Sequence, residues 1–305
     1  MTADADWPRR LPRGFREYWL PSRAGWLRLV AGGWGHPLFL VHGLGGSAED
    51  FYDLAPLLAR RRMCLMPDLP GFGRSQKPDA SYTIEWFVSV VAELARELTP
   101  GPSDWVGHSM GGQIALWLGR EHPGLVRRLV AVCPAGGQPG PDRLQRLLFS
   151  LLTSHDRLRL YHPWLLGQGA AYVFGQPPWG PPSWPGFAAF RRRLLAQWAG
   201  PERPRREMAF IRSARGVLAQ PLAGRLGGLE PPVLLVEGHG DNVTSAWQTQ
   251  RLWESLPPGN GRARLPGGHM PPYRDPAGLA QKVLDFLDAG VDSRTAADYT
   301  TNTPA

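Results

Sequence analysis

Short, unbroken apolar runs recur along the chain: Leu38–Val41, Met63–Met66, Trp105-Val106, Leu129–Val132 and Val233–Val236; a further strand is expected at Arg262–Leu265. Runs of this length, bounded by glycine and polar residues, are expected for strands covered on both faces, as in a parallel sheet. Segments with helical spacing lie between them. Thr83 caps a helix whose apolar positions are Ile84, Phe87, Val88, Val91, Leu94 and Leu98, and Pro100-Gly101 ends it. Ser47, with Asp50 three residues on, starts another, with Phe51, Leu54, Leu57 and Leu58 on its apolar face. Gln113–Arg120 suits a third helix. Asp275 and Pro276 open a last one carrying Leu279, Val283 and Leu287, closed by Gly290. Near the start, Tyr18–Leu20 and Trp26–Val30 flank a turn at Ser22–Gly25 and are expected as an antiparallel edge. The pattern predicts an α/β fold with a mostly parallel central sheet flanked by helices.

The alternation stops between about Pro134 and Leu229. That region is rich in arginine, proline and tryptophan, including Trp164, Trp179, Trp184 and Trp198. Leu144–Leu152 and Phe187–Trp198 are expected as helices, with Pro177–Pro182 as a stiff connector. The organisation expected is a core from residues 1–133 and 230–290, an inserted helical segment at 134–229, and a small, polar, disordered tail at 291–305.

Each apolar run leads into a Gly-rich or polar loop, and those loops hold the candidate chemistry. Trp105-Val106 leads into Gly107-His108-Ser109-Met110-Gly111, with helix-compatible sequence following. A Gly-x-Ser-x-Gly pentapeptide between strand and helix fits a nucleophile elbow, a sharp turn that exposes one serine hydroxyl above a sheet. Val233–Val236 leads to Gly238-His239-Gly240-Asp241, and Arg262–Leu265 leads to Gly267-Gly268-His269. Ligands of open parallel sheets sit at the carboxyl ends of the strands, so Ser109, Asp241 and His269 are expected at one end of the sheet. A serine hydroxyl needs a base, which His269 supplies, and a carboxylate on the far imidazole nitrogen fixes its tautomer, which is the role of Asp241. Glu237, in or at the edge of a strand, and Asp142, within the insertion, are the weaker candidates for the acid. His108 is tied to the elbow and is not assigned as base. The N–H of Met110, next to Ser109, is the first oxyanion donor.

These segments, with His42-Gly43 and Asp68-Leu69-Pro70-Gly71-Phe72-Gly73-Arg74-Ser75, resemble the α/β-hydrolase superfamily over residues 15 to 290. The resemblance implies an α/β-hydrolase fold with the 134–229 insertion as a helical cap shaping the pocket. It places the second oxyanion donor on the backbone N–H of Leu44. Asp68 and Ser75 correspond to a structural loop, and His42 is expected to organise the first loop by hydrogen bonding. Dehalogenases and epoxide hydrolases of this fold carry aspartate at the elbow. Here it is serine, which favours acyl transfer.

Net charge is +8, almost all from arginine, since Lys77 and Lys282 are the only lysines. Such basicity raises nucleic acid and anionic membranes as partners. The reading preferred is a solvated surface: no nucleic-acid partner is expected, and membrane contact by an Arg- and Trp-rich cap stays a minor alternative. No run of about 18 apolar residues occurs, and Met1-Thr2-Ala3-Asp4-Ala5-Asp6 lacks the features of a signal peptide. Cys64 and Cys133 fall in predicted strands and form neither a disulfide framework nor a metal site. A cytoplasmic location is expected. No metal cluster, phosphate loop or dinucleotide fingerprint is present, so no cofactor is expected. The function expected is a serine carboxylesterase acting on a small or medium hydrophobic ester through an acyl-enzyme. Alternatives are a carbon–carbon bond hydrolase of ring-cleavage products, a lipase, acyltransferase or cofactor-free perhydrolase, and a non-catalytic receptor or accessory protein on the same fold.

Overall fold

A computed structural model of the chain describes residues 10–139 and 201–289. Eight strands form one sheet in the order β1-β2-β4-β3-β5-β6-β7-β8. They are β1 (Phe15–Leu20), β2 (Leu27–Gly33), β3 (His36–Val41), β4 (Arg62–Pro67), β5 (Ser103–His108), β6 (Val126–Val132), β7 (Val233–Gly238) and β8 (Gly261–Leu265). β1 and β2 pair antiparallel, and β2 joins β4 antiparallel. From β4 through β3 to β8 every pairing is parallel. The hairpin turn is closed by reciprocal backbone bonds between Ser22 and Gly25 at 3.0 and 2.9 Å.

The continuous apolar runs follow from burial on both faces. Phe39, Val41, Trp105, Leu129, Ala131, Val233 and Leu235 belong to one core cluster. The alternate residues Leu38, Leu40, Val106, Val130, Val132, Leu234 and Val236 belong to the other, as a side-chain period of two requires. Helices α2 (Ile84–Leu98) and α3 (Met110–Glu121) cover the first face. The second is covered by the short α1 (Ala55–Leu58) and by the C-terminal helix Pro276–Asp288. Thr83 accepts the Trp86 N–H at 3.2 Å and Asp275 accepts the Gly278 N–H at 3.0 Å, so both predicted caps act on their helices.

Three elements depart from the sequence pattern. The helix expected after Ser47 is a 3-10 turn over Ala48–Phe51 followed by α1. Pro56 has no N–H to give the Tyr52 carbonyl, so one continuous helix would lack a bond there. Helices α4 (Arg203–Ala219) and α5 (Ala246–Ser255) have few buried positions and were not anticipated individually. The remaining helices are α6 (Pro271–Arg274) and α7 (Pro276–Asp288).

α4 belongs to the stretch expected as the cap. It sits over the loops that follow β3 and β4, and its small residues permit close approach. A Cβ placed on Gly71 would lie 2.8 Å from the Ala209 methyl, and one on Gly216 would lie 2.7 Å from the Tyr82 carbonyl oxygen. Beyond α4, Leu222, Leu226 and Leu229 are buried in the first core cluster, so the chain rejoins the core before residue 230. The expected helices Leu144–Leu152 and Phe187–Trp198, the Pro177–Pro182 connector, Asp142, Gly290 and the tail at 291–305 lie outside the described residues. Among the described residues no helix is long and apolar enough to cross a membrane.

Candidate functional site

The strand order changes direction at β3: β4 lies on one side of it and β5 on the other. A crevice opens at such a switch point, above the carboxyl ends of the two strands. The loop His42–Gly46 follows β3, and Ser109 follows β5. Ser109 has φ 54° and ψ −117°, a conformation that side-chain-bearing residues rarely hold. Neighbouring backbone is too close for side chains at the flanking glycines. A Cβ on Gly107 would lie 2.3 Å from the Gly111 oxygen, and one on Gly111 would lie 2.1 Å from the Val41 oxygen. The elbow is held by the Ser109 N–H, which donates to Val132 O at 2.9 Å, and by the Ser109 carbonyl, which accepts from Ala135 at 3.0 Å.

Ser109 Oγ lies 2.9 Å from His269 Nε2, and His269 Nδ1 lies 2.9 Å from Asp241 Oδ2. Three loops, after β5, β7 and β8, therefore bring the three residues into one hydrogen-bonded chain. Ser109 and His269 are buried. Asp241 also accepts the N–H groups of Val243 and Thr244 at 2.8 and 2.9 Å, and the Thr244 hydroxyl at 2.7 Å. Burial disfavours its charge, but the bonds from His269, Thr244 and Val243 outweigh it and hold its pKa below the ordinary carboxylate value. Glu237 is in β7, paired with Arg262 and Arg264 rather than with His269.

Met110 opens α3, so its N–H has no helical carbonyl behind it to bind. The loop carrying Leu44 lies against the elbow: a Cβ on Gly43 would be 3.0 Å from the Ser109 Cβ. That loop is fixed from below. His42 Nε2 accepts the Leu69 N–H at 2.9 Å, and its Nδ1 lies 2.8 Å from Gly43 O. Asp68 Oδ1 accepts the Ala48 N–H at 2.7 Å, and Oδ2 accepts the Arg74 N–H at 2.8 Å. Ser75 donates to Asp68 O at 2.6 Å. His42 and Asp68 thus join the loops after β3 and β4, and Ser75 braces the second of them.

Buried Arg28 completes this support, donating to Glu49 at 2.8 Å, Asp68 at 3.1 Å and Glu17 at 2.7 Å. Burial opposes the guanidinium charge, but Asp68 and Glu49 outweigh it and raise its pKa. Its place in the N-terminal hairpin gave no sign of this. Thr244 was also missed from sequence. The available signal was the spacing Asp-x-x-Thr in a loop, in which an aspartate commonly binds the backbone ahead of it.

One group of potential metal ligands comes together among the described residues: Cys133, Asp241 and His269, with ligand atoms within 4.8 Å of one another. Burial first, and then Asp241, push the Cys133 thiol well above its ordinary pKa. It is therefore a neutral thiol, a poor metal ligand.

A sequence profile of the alpha/beta hydrolase family matches residues 38–282. The chain belongs to that family. Among characterised relatives, this alpha/beta hydrolase is 39% identical over 108 residues to 2-hydroxymuconate semialdehyde hydrolase of Pseudomonas sp. (strain CF600). That match spans 34% of this chain and 38% of the relative. It is 27% identical over 271 residues to the magnesium-chelatase 30 kDa subunit of Rhodobacter capsulatus, covering 83% of this chain and 87% of that one. The fold matches a crystal structure of a hydrolase from Pseudomonas aeruginosa PA01 with a TM-score of 0.74 and 23% identity, over 90% of this chain and 98% of that one.

Proposed function

We propose that this alpha/beta hydrolase is a serine hydrolase of carboxylic esters that works through an acyl-enzyme. The observation that carries the reading is the chain Ser109 Oγ, His269 Nε2, His269 Nδ1, Asp241 Oδ2, with both links at 2.9 Å. In this reading Oγ attacks the ester carbonyl carbon while Nε2 takes its proton. Charge forms on the carbonyl oxygen, where the N–H groups of Met110 and Leu44 receive it. The C–O bond to the alcohol then breaks, and the alcohol leaves with the proton from Nε2. Water, deprotonated by the same nitrogen, releases the acid. Asp241 keeps Nδ1 protonated and stabilises the imidazolium. A small pocket beside Gly45 and Gly71 is lined by Phe72 and Phe210 together with Lys77 and Arg206, so the lining next to the oxyanion loop is part apolar and part cationic.

A second reading, hydrolysis of a carbon–carbon bond in a ring-cleavage product by the same three residues, is favoured by the partial match to 2-hydroxymuconate semialdehyde hydrolase. Purified protein assayed on p-nitrophenyl esters of increasing chain length, and on a vinylogous 1,5-diketone acid, separates the two. Turnover of esters with an optimum at short or medium chains is expected. Consumption of the diketone with inert esters would transfer the assignment to the second reading. Inertness toward both, with no reaction of Ser109 toward a fluorophosphonate, would favour an accessory role on this fold.

A further inference from the structure

His269 stands on a Gly-rich loop tied to the loop after β7 by the Gly268 N–H, which donates to His239 O at 3.1 Å. Gly267 and Gly268 precede it at φ 115° and 58°, and β8 is the last strand of the sheet. Two side chains from central strands hold two successive carbonyls of this loop. His108 Nε2, at the end of β5, lies 2.7 Å from His269 O. Cys133 Sγ, just past the end of β6, lies 3.7 Å from Gly268 O, within reach of a thiol hydrogen bond, and the Asp241 carboxylate is a second acceptor beside it.

We propose that His108 is a positioning residue: its Nε2–H grips the His269 carbonyl and, with the Cys133 thiol on the Gly268 carbonyl, keeps the His269 ring in reach of Ser109 Oγ. This rests on the serine-hydrolase reading and assigns a task to the residue beside the nucleophile. The tautomer follows from the contacts. The carbonyl needs a donor, so the proton is on Nε2, and Nδ1 is buried with no hydrogen-bond partner among the described residues. A cationic ring would leave a buried N–H unpaired.

The groups facing His108 agree. Burial above all, and then His269, lower its pKa to about 4, against smaller opposing effects of the bond to His269 O and of Asp50 and Asp241. A neutral ring beside His269 adds no positive charge where an imidazolium must form during acyl transfer. The contact joins residues 161 positions apart, so the nucleophile and its base are held through one short bond as well as through the sheet.

The test compares wild type, His108→Gln and His108→Leu by the rate of fluorophosphonate labelling of Ser109 and by kcat and KM on a p-nitrophenyl ester from pH 5 to 9. Glutamine offers an amide N–H in place of Nε2–H and is expected to stay within about threefold of wild type. Leucine offers no donor and is expected to slow labelling and kcat about ten- to a hundredfold, the range for a displaced catalytic group, with KM changed less than about twofold. The acid limb of the glutamine profile is expected to coincide with that of wild type, because position 108 carries no charge in either.

Labelling of a cooperatively melting leucine variant at the wild-type rate would overturn the proposal, as would equal losses in both variants or a displaced acid limb in the glutamine variant. If the leucine variant does not fold, Cys133→Ala decides: a roughly threefold or greater loss in kcat at unchanged KM supports the clamp, and wild-type kcat overturns it. Wild type that resists the probe would instead remove the underlying serine-hydrolase reading.

Discussion

Replacing Ser109 by alanine is expected to lower kcat on any ester the protein accepts by about ten-thousand- to a million-fold, with KM nearly unchanged. The hydroxyl is the only group removed, and the Gly107 and Gly111 contacts that shape the elbow do not involve it. The fold and the ground-state pocket therefore remain. A comparable loss is expected for His269→Ala, since an unactivated serine hydroxyl is a weak nucleophile at neutral pH. The double variant is expected to be no slower than either single one, because removing one half of a nucleophile–base pair already removes what the pair does together. Steady-state kinetics on the three variants checks this. Losses that multiply in the double variant would show that the two residues act separately, despite their 2.9 Å contact.

The largest effect on stability is expected at Arg28. Its side chain is 2% exposed, and its partners Glu49 and Asp68 are fully buried. Arg28→Met fills much of the same space but leaves those two carboxylates facing each other without their cation. Breaking a buried pair on one side costs about 3–5 kcal/mol, or roughly 10 °C in melting temperature for a domain of this size. The loss should reach activity too, because Asp68 holds the Ala48 N–H and so the loop carrying Leu44. Thermal unfolding and ester kinetics on the same sample measure both. A melting temperature within about 2 °C of wild type would mean that the cluster contributes little to stability.

The strands were legible because burial on both faces leaves no polar side: Leu38–Val41, Leu129–Val132 and Val233–Val236 admit few other readings. The elbow was legible because its turn demands glycine at Gly107 and Gly111, and the loop of Asp241 because it follows such a strand; the loop of His269 follows β8, where buried positions alternate with arginines. Other features were not. Arg28 sits between Leu27 and Leu29 in β2, a strand paired on both sides, where no local pattern marks a buried arginine, and only the tertiary approach of Glu49 and Asp68 gives it partners there. α4 was hidden because its fully buried positions are the small residues Ala209, Ser213 and Gly216 amid arginines, while Met208, Phe210 and Val217 pack against the core only partly buried. The helix after Ser47 was misread although the reason, Pro56, was in the sequence. His108 takes its meaning from the relative placement of loops, which no local pattern records.

The central claim is that Ser109 is a nucleophile activated by His269. The most direct test is intact-mass and peptide mapping after brief exposure to a fluorophosphonate, on wild type, Ser109→Ala and His269→Ala. A single phosphonyl group on Ser109 of wild type is expected, absent from the alanine variant at 109 and strongly slowed in the one at 269. No adduct on Ser109, or an adduct forming equally fast without His269, would contradict the claim.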